Sequence, residues 1–211
     1  AFSTPHNLIQ VPRSTELFNT QISYLTQTKN FSSLDEINAF LEPFIMNSSK
    51  LQQALEESDI SDDELDYLDY LFLLDQAHQA DLKEAKRLIF KSLLYYQKPV
   101  DAYLWIANHI CKTRVDTDRI LSYAVSLAES TLSKEMKKDM GNFWNTQKTR
   151  AYIRAKASYG EYLFYDATSS DQITCGLSML ESVLDYDKQD HMGVRFLLMS
   201  IFRSEERRVG K

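Results

Sequence analysis

Helix-breaking residues are almost missing from the second half of this chain. The four prolines, Pro5, Pro12, Pro43 and Pro99, all precede Val100, and from there to Phe202 the only glycines are Gly141, Gly160, Gly176 and Gly193. A β-rich domain needs turn residues at about every eight to twelve positions. A stretch this thin in Gly and Pro, and rich in Leu, Ala, Lys, Glu and Gln, predicts helices. Spacing agrees: Leu65, Leu68 and Phe72 follow i, i+3, i+7 steps, and Leu71 and Leu74 widen the stripe. Ser61-Asp62-Asp63-Glu64 reads as a capping box, in which hydroxyl and carboxylate satisfy exposed first-turn amides and the acidic start suits the helix dipole. Ser33-Leu34-Asp35-Glu36 repeats the device ahead of Ile37, Phe40 and Leu41, and Pro43 is expected to disturb that helix.

The expectation is an all-α chain with helices at 14–28, 34–46, 49–57, 62–79, 81–97, 99–112, 117–131, 133–140, 147–166, 170–186 and 190–202. Joints such as Ala80-Asp81, Lys98-Pro99 and Asp187 to Gln189 are short enough to force neighbouring helices antiparallel. Residues 1–13 read as a loose lead-in, 14–60 as an N-terminal helical segment and 61–202 as a helical repeat domain. The chain opens Ala1-Phe2-Ser3-Thr4-Pro5, with neither an initiator Met nor a signal-peptide pattern, and reads as a fragment. Its last nine residues, Arg203 to Lys211, resemble the frame translation of a sequencing-library adapter, so 203–211 is expected to be a non-native tail. The repeat domain would then be truncated at Phe202. Val194, Phe196, Leu197, Leu198, Ile201 and Phe202 would be short of packing partners, which predicts fraying or association there.

Composition excludes several classes. With 44% hydrophobic and 26% charged residues the chain is an ordinary globular one. No uncharged apolar run approaches the roughly 20 residues of a membrane span. The 24 Lys+Arg against 30 Asp+Glu give −6, which argues against a generic nucleic-acid or anionic-membrane binder. Setting aside the four basic and two acidic residues of 203–211 leaves 20 against 28, or −8. Cys111 and Cys175 form neither a ligand cluster nor a disulfide framework; they read as free thiols of a reducing, cytoplasmic compartment.

An internal repeat is visible. Ala85, Ile89 and Ser92 recur after 36 residues as Leu121, Val125 and Ala128, with Tyr103-Leu104 and Ala107 on the intervening helix. A third unit offers Tyr159-Gly160, then Gly176, Leu180 and Val183. Alternating large and small residues let helix pairs wedge together, and the pattern resembles the tetratricopeptide repeat, an antiparallel pair of about 34 residues. A longer series runs from Gly141-Asn142-Phe143-Trp144 through Thr149-Arg150-Ala151-Tyr152-Ile153-Arg154-Ala155 to Asp190-His191-Met192-Gly193-Val194-Arg195-Phe196-Leu197-Leu198. It is similar to a family of tetratricopeptide-containing proteins, mostly without an assigned biochemical role. That family has Gly-x-Phe-Trp, Thr-Arg-Pro-Tyr-Met-Arg-Ala and Asp-Asn-Gln-Gly-Val-Arg at the corresponding points. Here Ala151 and Ile153 replace the Pro and Met, and His191 and Met192 depart from the Asn and Gln. The resemblance implies an α-solenoid of antiparallel pairs stacked as a superhelix. Inner helices near 62–79, 99–112, 147–166 and 190–202 would line a concave face.

Chemistry concentrates in one stretch. Lys134, Lys137, Lys138, Lys148, Arg150, Arg154 and Lys156, opposed by Glu135 and Asp139, give +5, with Phe143, Trp144 and Tyr152 interleaved. Guanidinium groups grip carboxylate or phosphate by paired hydrogen bonds, and a neighbouring Trp offers a stacking face. The candidate partner-binding residues are Arg150, Arg154, Trp144, Tyr152, Lys148, Trp105 and Arg195. Two readings stay open: a groove for an acidic peptide, or arginines that pair with acids of neighbouring repeats while Phe143 and Trp144 anchor a long loop. The acidic run Glu56 to Asp69 fits a capped helix start, and Asp185-x-Asp187-x-x-Asp190 lacks the turn Gly and twelfth ligand of a calcium loop. His6, His78, His109 and His191 are not spaced as metal ligands, and no phosphate-loop or nucleophile-elbow motif occurs. The expectation is a non-enzymatic interaction scaffold, without cofactor or metal, for a protein or peptide partner. The competing expectations are a nucleic-acid accessory protein using 134–156 and a regulatory domain of a larger protein.

Overall fold

The computed structural model describes residues 14–209, so the expected lead-in at 1–13 lies outside the described residues. The described residues are 73% helix. Among the described residues there are eleven α-helices, one 3-10 turn and no strand. They divide into two compact units, 14–97 and 98–209.

The first unit holds α1 (Ser14–Thr26), α2 (Leu34–Leu41), α3 (Ser48–Glu56), α4 (Asp62–Gln79) and α5 (Leu82–Ser92). Helices α4 and α5 pack on each other, and α1 packs on both α3 and α4. The capping box of α4 is complete: the Ser61 hydroxyl accepts from the Glu64 amide, and the Glu64 carboxylate accepts from the Ser61 amide at 3.0 Å. At α2 the device shifts by one residue. Ser33 accepts from the Glu36 amide, but the Glu36 carboxylate accepts from the amide and hydroxyl of Ser32. Helix α2 stops at Leu41 rather than at 46, because Pro43 has no amide to offer and its ring crowds the preceding turn. Helix α5 stops at Ser92 rather than at 97. Its exit tightens into i→i−3 bonds at Leu94 and Tyr95, and the Tyr96 ring then lies 4.8 Å from Tyr67 and 5.2 Å from Tyr70.

The second unit holds α6 (Val100–His109), α7 (Arg114–Glu129), α8 (Lys134–Lys138), a 3-10 turn (Phe143–Asn145), α9 (Gln147–Tyr165), α10 (Ser170–Tyr186) and α11 (Val194–Val209). Helices α6 and α7 pack as a pair, α9 lies against both, α10 packs on α9, and α11 on α10. The repeat positions read from the sequence face inward: Ala85, Ile89, Ser92, Leu121, Ala128, Gly176, Leu180 and Val183 are buried, and Val125 is half-buried. Gly160 and Gly176 mark the closest approach of α9 and α10. A Cβ on Gly176 would stand 2.8 Å from both the Gly160 carbonyl oxygen and the Phe164 amide nitrogen.

Helix α11 buries Val194, Leu198 and Ile201 and leaves Phe196, Met199 and Phe202 exposed. The expected shortage of partners therefore falls on one face of the helix, not on all of it. The helix carries on to Val209 with no break after Phe202, where the sequence suggested an abrupt end.

Candidate binding site

The basic-aromatic stretch is organised around the loop that precedes α9. Gly141 adopts φ +101°, a backbone region that L side chains rarely occupy, and is buried. Its amide donates to the Tyr186 carbonyl at 3.1 Å and its carbonyl accepts from the Lys188 amide at 3.0 Å, which staples the loop to the end of α10. Phe143, 1% exposed, sinks between the rings of Tyr186 at 5.0 Å and Tyr152 at 6.0 Å. The buried Thr149 hydroxyl lies within hydrogen-bond reach of the carbonyls of Phe143 and Thr146, which fixes the turn to the first turn of α9.

That frame holds Trp144 half-buried, with a different group against each part of its ring system. The Arg150 Nε donates to the Trp144 carbonyl, and the Arg150 guanidinium carbon lies 5.5 Å from the indole centroid. The Arg154 guanidinium carbon is at 5.9 Å. His191 stacks on the indole at 5.3 Å with an interplanar angle of 6°. Asp187, 1% exposed, orients His191 twice, accepting from its backbone amide at 2.7 Å and lying 2.8 Å from its Nδ1. Asp190 then turns the chain at φ 59°, a conformation Asp tolerates better than most residues, and its carboxylate caps α11 by accepting from the amides of Val194 and Arg195. Arg195 returns a bond from Nη2 to the Lys188 carbonyl at 2.8 Å.

The seven candidate residues separate by exposure. Arg154 is 2% exposed and grips Asp101 of α6 with both arms of its fork, Nε to Oδ1 at 2.6 Å and Nη2 to Oδ2 at 3.0 Å. Tyr152 is 3% exposed between Phe143 and Tyr186; burial first, then the hydrogen bond with Tyr186, raises its hydroxyl pKa well above the usual tyrosine range. Trp105 is 4% exposed and stacks on His109 at 4.4 Å. These three are packed inside and are not presented to a partner. Trp144 and Arg150 are half-buried, and Lys148 and Arg195 are exposed. Lys156 lies half-buried over the Tyr186 ring at 4.7 Å, and burial lowers its pKa despite the carboxylates of Glu129 and Asp185.

Sequence reasoning missed Asp101, Asp187 and His191 as members of this cluster. Asp101 carried a usable signal, because it shares a helical face with Leu104 and Trp105, which also turn inward. An acid on such a face calls for a buried cation. His191 carried only a local signal, its spacing of four from Asp187, because the Trp144 it stacks on lies in the remote 3-10 turn before α9. Among the described residues no group of His, Cys, Asp and Glu is arranged to hold a metal ion, and no helix is long and apolar enough to cross a membrane. Compared with models of known families, with curated proteins and with solved structures, the chain has no match.

Proposed function

We propose that this chain is a non-enzymatic protein-interaction scaffold of tetratricopeptide type, with α6, α9 and α11 as inner helices, and that it takes an acidic peptide segment against Trp144, Lys148, Arg150 and Arg195. The packing of α9 against both helices of the preceding pair supports the stacked-pair reading. The observation that carries the binding reading is the state of Arg150. Its Nε bonds the Trp144 carbonyl and its guanidinium carbon lies 5.5 Å from the Trp144 ring centroid, while no carboxylate among the described residues pairs with it. An arginine already fixed by a carbonyl and a ring has little rotamer freedom left to lose, so its terminal nitrogens are set for a bidentate carboxylate. Arg154 shows the contrast, its fork being spent on Asp101. Free thiols at Cys111 and Cys175 accord with a reducing, cytoplasmic setting.

Selection from a random displayed peptide library tests this, followed by fluorescence anisotropy on the enriched peptides and their Glu→Gln and Asp→Asn versions. Enrichment of acidic peptides is expected, with Arg150→Ala weakening them about tenfold, since hydrogen bonds to charged groups contribute about 1.5–3 kcal/mol. Equal affinity for the neutralised peptides, or for the Arg150→Ala protein, would remove this surface from the proposal. Binding of single-stranded oligonucleotides with a steep decline in log affinity against log salt would replace the peptide by nucleic acid.

A further inference from the structure

The two ring nitrogens of His191 stand in different environments. Nδ1 lies 2.8 Å from Asp187 Oδ1, in a joint where the Asp187 side chain is 1% exposed and its Oδ2 accepts from the His191 amide at 2.7 Å. A carboxylate only accepts, so the proton of that contact sits on Nδ1. No group among the described residues bonds Nε2, and the His191 side chain is 32% exposed. With Nδ1 fixed as the donor, the character of Nε2 follows the charge of the ring. In the neutral imidazole it carries a lone pair and offers a carboxylate nothing; in the imidazolium it is an N–H donor on a cation.

The ring is held beside the surface assigned to the acidic segment. Its centroid lies 5.3 Å from the Trp144 indole with the planes 6° apart, and the Arg150 guanidinium carbon lies 5.5 Å from the same indole. The two distances together put the imidazole and the guanidinium no more than about 11 Å apart. Acidic residues two or three apart on an extended peptide, at about 3.3 Å per residue, cover such a span. The charged groups on the packed elements are Lys148, Arg150 and Arg154 of α9, Asp187, Lys188 and Asp190 of the joint after α10, and Arg195 of α11. The carboxylates among them are engaged: Asp187 with His191, and Asp190 with the amides of Val194 and Arg195. Arg154 is spent on Asp101. A carboxylate for Nε2 therefore has to come from outside this cluster.

We infer that His191 is a second, pH-dependent contact for the acidic segment: its Nε2 takes one carboxylate while Arg150 takes another two or three residues along, an assignment that rests on the peptide-binding reading above. The site then selects paired acids and holds them more tightly as pH falls and the imidazole gains its proton. The probe is acetylated, amidated tetraglutamate carrying a fluorophore, followed by anisotropy at about pH 5.5 and about pH 8, a range in which histidine changes charge and glutamate stays ionised. The wild type is expected to bind about fivefold tighter at the lower pH, the upper range for an exposed ion pair. His191→Gln, which isolates this ring from the chain's other histidines, should bind equally at both, at the wild type's alkaline level. Arg150→Ala should bind more weakly at both and keep the pH difference. In the free chain at about pH 8, the nitrogen shifts of the isotope-labelled ring should show Nδ1 protonated and Nε2 bare. Equal wild-type affinity at the two pH values, a difference that survives His191→Gln, or a proton on Nε2 at the higher pH would each overturn the role of His191 and leave the Arg150 contact standing. No saturable binding of tetraglutamate at either pH would remove the acidic-segment reading itself, and the role of His191 with it.

Discussion

Replacing Gly176 by alanine tests the helix crossing on which the second unit is built. In an open helix the change stabilises, because alanine exceeds glycine in helix propensity by about 1 kcal/mol. At this site the new methyl would meet the Gly160 carbonyl oxygen and the Phe164 amide nitrogen at 2.8 Å and the Leu163 Cβ at 3.1 Å. Two of those atoms are backbone, so no rotamer change relieves them. Restoring ordinary contact requires α9 and α10 to part by about 0.6 Å, and a gap of that order forfeits a quarter to a half of each affected contact. Leu180, Val183 and Ile153, all 0% exposed in the unit's core, bear the loss. Overpacking of this kind costs about 1–3 kcal/mol against a propensity gain of about 1 kcal/mol, which leaves a net destabilisation of up to about 2 kcal/mol and about 1 kcal/mol at mid-range. Both tryptophans, Trp105 and Trp144, belong to residues 98–209, so tryptophan fluorescence during urea unfolding reports this unit. With a slope of about 1–3 kcal/mol per molar urea, that mid-range loss should lower the midpoint by roughly 0.3–1 M. Gly160→Ala should be milder, because its nearest contacts, the Leu180 Cγ at 3.0 Å and the Gly176 carbonyl oxygen at 3.1 Å, are less tight than the two at 2.8 Å around Gly176. A midpoint for Gly176→Ala equal to or above the wild type would refute the close crossing.

Two other expectations follow from the interior. Asp101→Asn leaves the Arg154 guanidinium buried without its countercharge and should cost about 3 kcal/mol by the same unfolding assay, whereas Asp101→Leu with Arg154→Met should recover most of the loss; a single change no worse than an ordinary surface substitution would contradict the buried pair. Burial, aided by neighbouring carboxylates, raises the hydroxyls of Tyr24 and Tyr159 to about 12, above the ordinary 10. Their neutral forms are therefore favoured in the folded chain, and the stability they contribute is intact below about pH 10 and lost as pH rises through about 12. Tyrosinate absorbance during an alkaline titration should show a late-ionising fraction that disappears in urea, and a single transition near 10 in the folded chain would count against it.

The parts of this molecule that could be read in the sequence are those governed by near neighbours. The capping box at Ser61 and Glu64 and the inward positions Ala85, Ile89 and Ser92 involve residues within a turn or two of each other; the disturbance by Pro43 was legible as well, but the helix ends at Leu41 and not at 46. The small size of Gly160 and Gly176 was visible too, although their approach across two helices was not. The candidate site was legible only as a composition. Arg150 and Arg154 sit four residues apart on one helical face and look equivalent in sequence.

The sequence by itself determined an all-helical chain and the placement of most helix starts, because hydrogen bonding within a helix and its caps is local. Tertiary structure alone decided which arginine is buried, since the partner of Arg154 is Asp101, 53 residues away. It also decided that His191 meets Trp144 and that the buried Ser158 hydroxyl is left without a hydrogen-bond partner. Those outcomes depend on how helices pack across long chain separations, where burial turns one charge into a structural pair and leaves its neighbour at the surface.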